Sequence, residues 1–262
     1  MMLKDKVAVI YGAGGAIGGA VARAFATEGA KVFVTGRSLA PVEAVAKEVA
    51  AAGGSAEAAE VDALDEQAVD RHLQYVVDRA GRVDISFNAV GIANTKIVGV
   101  PLAELDAGQF SQPITAYATS YFLTARLAAR RMIPHRSGVI MTVTALHSRT
   151  GLPLVGGYGP AMAAKEALTR DLSAELAPQG IRVVGLRPQG MPETRTIKEF
   201  FEPRAKAGMT WERFQEFGAS RTHARRLMTL EEMANMAVFM ASDKASGMTG
   251  TTVNLTLGSL DD

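Results

Sequence analysis

The chain has 262 residues, with 28 Lys+Arg against 27 Asp+Glu, a formal net charge of +1 and no cysteine. A near-neutral balance argues against a nucleic-acid or anionic-membrane partner, and the lack of cysteine excludes disulfides, thiolate catalysis and cysteine metal sites. The four histidines, His72, His135, His147 and His223, are scattered without ligand-like spacing, so no metal site is expected. No apolar run approaches the ~20 residues of a membrane span, and the N-terminus enters the first strand without a signal-peptide pattern. A soluble cytoplasmic enzyme or binding protein with a large aliphatic core is the expectation.

Residues 6–11 form a short, apolar, β-branched run that reads as a strand buried on both faces. It breaks into a glycine-rich turn over 12–18, after which apolar residues recur at helical spacing. Strand, glycine turn and helix bring backbone N–H groups and a helix N-terminus against a pyrophosphate. Further strands are expected at 31–35, 55–61, 83–87, 138–143, 181–186 and 251–255. Helices are expected at 41–51, 66–80, 110–132, 159–177 and 230–240. This alternation predicts one α/β domain over 1–262, a Rossmann-type doubly wound parallel sheet of about seven strands with helices on both faces. The segment 191–226 falls out of rhythm. It is a surface helix pair or, since it follows the sixth strand at the ligand-binding edge, a substrate lid.

Over nearly its whole length the sequence resembles the short-chain dehydrogenase/reductase family. The family's TGxxxGxG turn is matched by Gly12, Gly14, Gly15, Ala16, Ile17 and Gly18, with Ala16 at the middle glycine. Asp62, followed by Ala63, matches the aspartate that hydrogen-bonds adenine. Asn88, Ala89 and Gly91 match the NNAG motif. Pro188 and Gly190 stand at the Pro-Gly after the sixth strand, and Thr194 matches the threonine that contacts the carboxamide. The resemblance implies a dinucleotide cofactor, a small-molecule substrate and a homodimer or tetramer formed through the helices at 110–132 and 159–177. At the end of the second strand, Gly36-Arg37 replaces the carboxylate that would bind the ribose of NAD. A guanidinium there can pair with a 2′-phosphate, so NADP(H) is expected over NAD(H).

The family's chemistry uses Tyr, Lys, Ser and Asn. Tyr158 stands at the tyrosine position, but the other three hold Met162, Ala145 and Tyr117. Without the lysine, Tyr158 keeps an ordinary pKa near 10 and is a phenol at pH 7. Lys165, seven residues on, and His147 are the candidate substitutes, and Tyr117 is expected to fill the space of the missing water relay. The expected activity is reduction of a carbonyl or enone of a partly apolar molecule. The alternative is a dinucleotide-binding protein without turnover, acting as a sensor or a partner subunit.

Overall fold

The computed structural model describes residues 1–260, so the last two residues of the expected domain, 261 and 262, lie outside the described residues. Seven strands form one sheet: β1 (Val7–Tyr11), β2 (Lys31–Gly36), β3 (Ser55–Glu60), β4 (Ile85–Asn88), β5 (Gly138–Val143), β6 (Ile181–Pro188) and β7 (Thr251–Leu255). Their spatial order is β3-β2-β1-β4-β5-β6-β7, and every neighbouring pair is parallel. The order reverses between β1 and β4, and that reversal opens a crevice at the carboxyl ends of the strands.

The two-residue period of β1 sorts its side chains between two cores. Ala8 and Ile10 pack with α1 (Ala16–Thr27), α2 (Leu39–Ala51) and α8 (Leu230–Ala241). Val7, Val9 and Tyr11 pack with α3 (Glu66–Ala80), α4 (Ala107–Met132) and α5 (Tyr158–Leu176). Both faces are therefore covered, which is why strands such as β1 read as unbroken apolar runs.

Helix starts moved where a cap or a turn decided them. The fourth helix begins at Ala107 rather than 110, because the Asp106 carboxylate accepts from the Gly108 and Gln109 amides at 2.8 and 3.1 Å. The first begins at Ala16, inside the glycine turn itself. Tyr158, expected just before its helix, is the first residue of α5. The out-of-rhythm segment carries two helices, α6 (Arg195–Lys206) and α7 (Trp211–Ser220), joined through a Phe201–Trp211–Phe214 aromatic cluster with ring centroids 5.0 to 5.7 Å apart. Among the described residues no helix is long and apolar enough to cross a membrane.

Candidate active site

The glycine turn after β1 is shaped by contacts that leave no room for side chains. Gly12 has φ +75°, and a Cβ on it would sit 2.6 Å from the Ala89 carbonyl oxygen. A Cβ on Gly18 would lie 2.4 Å from the Gly12 oxygen. Ala16 is tolerated because it opens α1 rather than facing this contact. The N-cap, Gly15, supplies no side-chain cap, and the first turn of α1 holds no acidic residue. Its free N–H groups and positive dipole end therefore face the cleft, which suits a pyrophosphate.

That cleft has a volume of about 620 Å³ and runs from the glycine turn over the β1–β4 crevice to α5. Of the expected cofactor residues, Gly12, Gly14, Gly15, Ala16, Ile17 and Gly18 line it at one end. Arg37 lines it beside Gly36 and Ser38, and Asp62 and Ala63 line it after β3. The Asp62 carboxylate accepts from the Leu64 amide at 3.0 Å, which orients it. Ala89, Gly91 and Thr194 complete the expected set, and the Thr194 hydroxyl donates to the Met191 carbonyl at 2.7 Å.

Three expected cofactor residues lie elsewhere. The buried Asn88 amide donates to Thr124 Oγ1 at 3.1 Å, because the end of β4 turns that side chain onto α4. Pro188 is the last residue of β6 and lines neither the cleft nor the adjoining cavity. Gly190 lines a separate cavity beneath α6 and α7. Conversely, Arg195 and Lys198 line the cleft and were not singled out from sequence. The signal was present, since Thr194 is the N-cap of α6 and both cations fall on its first turn.

Tyr158 lines the far end of the cleft and is 7% exposed. Its ring meets Tyr117, His147 and Phe200 edge-on, with centroids 5.9, 5.8 and 5.3 Å away. Such pairs contribute roughly 0.5–1.5 kcal/mol each, so the ring is held firmly. Burial, then Tyr117 and Glu199, push the phenol well above the ordinary tyrosine range. The group therefore stays a neutral phenol at physiological pH.

Met162, which the resemblance puts at the lysine position, lines the cleft one turn beyond Tyr158. Lys165 does not take over that place. Seven residues span about 10 Å of helix axis, and its Nζ already donates to the Val143 carbonyl at 2.8 Å. It is fully buried, 5.7 and 5.8 Å from the Tyr117 and Tyr121 ring centres, and lines neither the cleft nor the cavity. The expectation of Lys165 as a catalytic group is corrected on this geometry. The serine position fares similarly. Ala145 has no donor, and the flanking Thr144 and Ser148 hydroxyls both donate to Glu166 Oε1, at 3.0 and 2.5 Å. Glu166 is paired in bidentate fashion with Arg187, both contacts at 2.8 Å, and both side chains are buried. This network ties α5 to β6. No short-range pattern announces it, because its members are 18 to 22 residues apart.

Burial pushes Lys165 down to about 7 from its ordinary value of 10.5. Between those values the unfolded chain binds a proton that the folded chain releases, so stability rises with pH across the window from about 7 to 10.5. Thermal melts are expected to move upward from pH 7 to pH 9, and Lys165→Met should flatten that dependence. An unchanged slope in the variant would assign it to other groups.

The second cavity, about 120 Å³, lies between the loop after β5 and the helices α6 and α7. His147 and Phe200 line it while touching the Tyr158 ring, so the phenol stands where cleft and cavity adjoin. Burial, and then Arg204, push His147 down to about 4, so its imidazole is neutral at pH 7. The loop after β4 is fastened to α6, since Glu199 Oε2 accepts from the Asn94 amide and from its side chain, both at 3.0 Å. An uncapped helix N-terminus over a parallel-sheet crevice, with a phenol at its far end, defines a dinucleotide-dependent oxidoreductase.

The sequence profile of a family described as enoyl-(acyl carrier protein) reductase matches residues 12–259. A 7alpha-hydroxysteroid dehydrogenase of Escherichia coli (strain K12) is 29% identical over 262 residues, covering 100% of this chain and 97% of the relative. A (+)-borneol dehydrogenase 2 of Salvia officinalis is 28% identical over 258 residues, covering 95% and 87%. The structure of an NAD+-bound xylitol dehydrogenase superposes with a TM-score of 0.90 at 26% identity, covering 99% of this chain and 100% of that one. The chain belongs to the short-chain dehydrogenase/reductase family of NAD(P)-dependent oxidoreductases.

Proposed function

We propose that the protein reduces a carbonyl or enone of a partly apolar small molecule with NADP(H), with Tyr158 as the proton donor. The observation that carries this reading is a phenol held protonated by burial where the dinucleotide cleft adjoins the lid cavity. A reduction needs a proton at the substrate oxygen or carbon; the phenol already carries one, and its raised pKa makes the transfer slower than it would be from an acid tuned near the working pH. The bound reduced nicotinamide supplies the hydride. Tyr158 delivers the proton, and the neutral His147 imidazole orients the substrate by hydrogen bonding from the cavity wall. The α6–α7 pair serves as the lid that excludes water. Relatives named for a hydroxysteroid and for borneol agree with an apolar substrate, although the xylitol enzyme does not. The test is absorbance-monitored oxidation of NADPH with a broad panel of ketones and enones. NADPH binding with no turnover on any of them would overturn the reading.

The NADP(H) preference rests on Arg37, which follows β2, lines the cleft and carries the guanidinium that would pair with a 2′-phosphate. Arg37→Ala is expected to weaken NADPH binding by roughly 10- to 100-fold, the loss of one charge-assisted bidentate contact, and to leave NADH binding unchanged. Fluorescence titration of both cofactors decides it, and equal wild-type affinities would sink the preference. The same reading has the chain form a homodimer or tetramer through α4 and α5. Light scattering at micromolar concentration should show a species larger than the 27.6 kDa monomer.

A further inference from the structure

The cavity under the lid is walled by apolar side chains, among them Leu152, Ile197, Phe214 and Phe217, yet two guanidinium groups, Arg204 and Arg221, also line it. Among the described residues no aspartate or glutamate does. The half-buried Arg204 is held in place by donating to the Phe200 carbonyl at 2.5 Å, with Cζ 5.8 Å from the Phe214 ring centre. Arg221 lies 5.7 Å from the Phe217 ring centre. Two further arginines of this stretch have carboxylates, Arg195 with Glu199 and Arg226 with Glu232, while Arg213 and Arg225 lie outside the cavity. Among the described residues Arg204 and Arg221 have no ion-pair partner. Burial also lowers the pKa of Arg204, so its charge is partly desolvated without compensation.

We propose that this cavity takes an apolar carbonyl compound bearing a carboxylate, with Arg204 and Arg221 holding the carboxylate and the carbonyl reaching Tyr158. Guanidinium groups match carboxylates in bidentate fashion, and the attraction strengthens where water is scarce. The spacing sets the substrate's shape. Phe200 touches the Tyr158 ring at 5.3 Å, and its own carbonyl accepts from the Arg204 guanidinium, so the Phe200 residue stands between phenol and cation. Carboxylate and reacting carbonyl are therefore several carbons apart. A volume of about 120 Å³ is well below the ~300–1,000 Å³ of pockets for drug-sized ligands, which selects a medium-chain or single-ring body over a polycycle. The orientation rests on the reading of Tyr158 as proton donor, whereas the anion subsite is tested by binding alone.

The chain's single tryptophan, Trp211, stands behind the cavity and stacks on the lining residue Phe214 with centroids 5.7 Å apart, so its emission reports on that wall through Phe214. Octanoate, methyl octanoate and octylamine are titrated into the full chain by Trp fluorescence, and equilibrium dialysis of labelled octanoate repeats the measurement without relying on the signal. Octanoate is expected to bind at least 10-fold tighter than its methyl ester, and octylamine more weakly than either. Arg204→Gln should reduce octanoate affinity about 10-fold, and the double change with Arg221→Gln should leave acid and ester equal. Equal binding of acid and ester by the wild type, or a preference that survives the double change, would overturn the proposal. Should the double variant not melt cooperatively, Arg221→Gln alone, at an exposed position, and the wild-type comparison decide the matter. A medium-chain oxo acid then separates the two readings. Arginine-dependent octanoate binding without oxidation of NADPH would remove the reductase reading and leave the anion subsite standing. Turnover of neutral ketones with no preference for the acid would do the reverse.

Discussion

Tyr158→Phe is expected to lower NADPH oxidation by about 100- to 10,000-fold, the range for loss of a positioned general acid, while NADPH affinity stays within a factor of two. The phenol stands at the head of α5, and its ring is fixed by Tyr117, His147 and Phe200. Phenylalanine keeps those three edge contacts and removes only the hydroxyl, so the fold should persist and a thermal melt should confirm it. No neighbour can inherit the proton. Lys165 is engaged by the Val143 carbonyl, the Thr144 and Ser148 hydroxyls point at Glu166, and His147 is neutral above its depressed pKa of about 4. The pH profile is a second readout. With a donor whose pKa is raised by burial, kcat should show no alkaline limb from Tyr158 below pH 10. Undiminished turnover in Tyr158→Phe would take this residue out of the mechanism and with it the site assignment.

Restoring the family's missing groups should act in the opposite direction. Met162→Lys with Ala145→Ser is expected to raise kcat by about 100-fold or more, since an ammonium beside the phenol and a hydroxyl donor to the carbonyl oxygen are each worth roughly 3 kcal/mol. Met162 lines the cleft one turn from Tyr158, so the new side chain has an outlet toward bound cofactor. Its present surroundings are apolar, and it packs in one cluster with Ile92, Val155 and Phe200. Inserting a cation there costs stability, and a lower melting temperature should accompany the gain. Tyr117 occupies the relay position, its hydroxyl accepting from the Ile92 amide at 3.4 Å and its ring against Tyr158. Adding Tyr117→Asn opens that space and should raise kcat further. Folded variants with no gain would mean that geometry, and not the lost lysine and serine, limits the site.

The α/β alternation, the parallel sheet, the glycine turn and the position of Tyr158 were legible in the sequence alone. Each rests on local physics: β-branched runs buried on both faces, turn positions where a Cβ has no room, and helical spacing of apolar residues. The proposed losses at Met162, Ala145 and Tyr117 rest on counting alone: back from Gly180 through α5, back thirteen residues from Tyr158, and along α4. What the chain order left open was where long side chains end. Lys165 shares a helix face with Tyr158 by period, yet only packing sends its ammonium to Val143 between two aromatic rings. Asn88 sits in its expected motif but turns to Thr124. The Glu166–Arg187 pair and the Asn94–Glu199 clasp join residues far apart in sequence, and only the closed fold brings them within hydrogen-bond reach, as it brings Arg204 and Arg221 to one cavity. Backbone class follows from short-range pattern because it is set by sterics and burial over a few residues. The direction of a charged side chain is set by which polar partner lies nearest after the chain has folded.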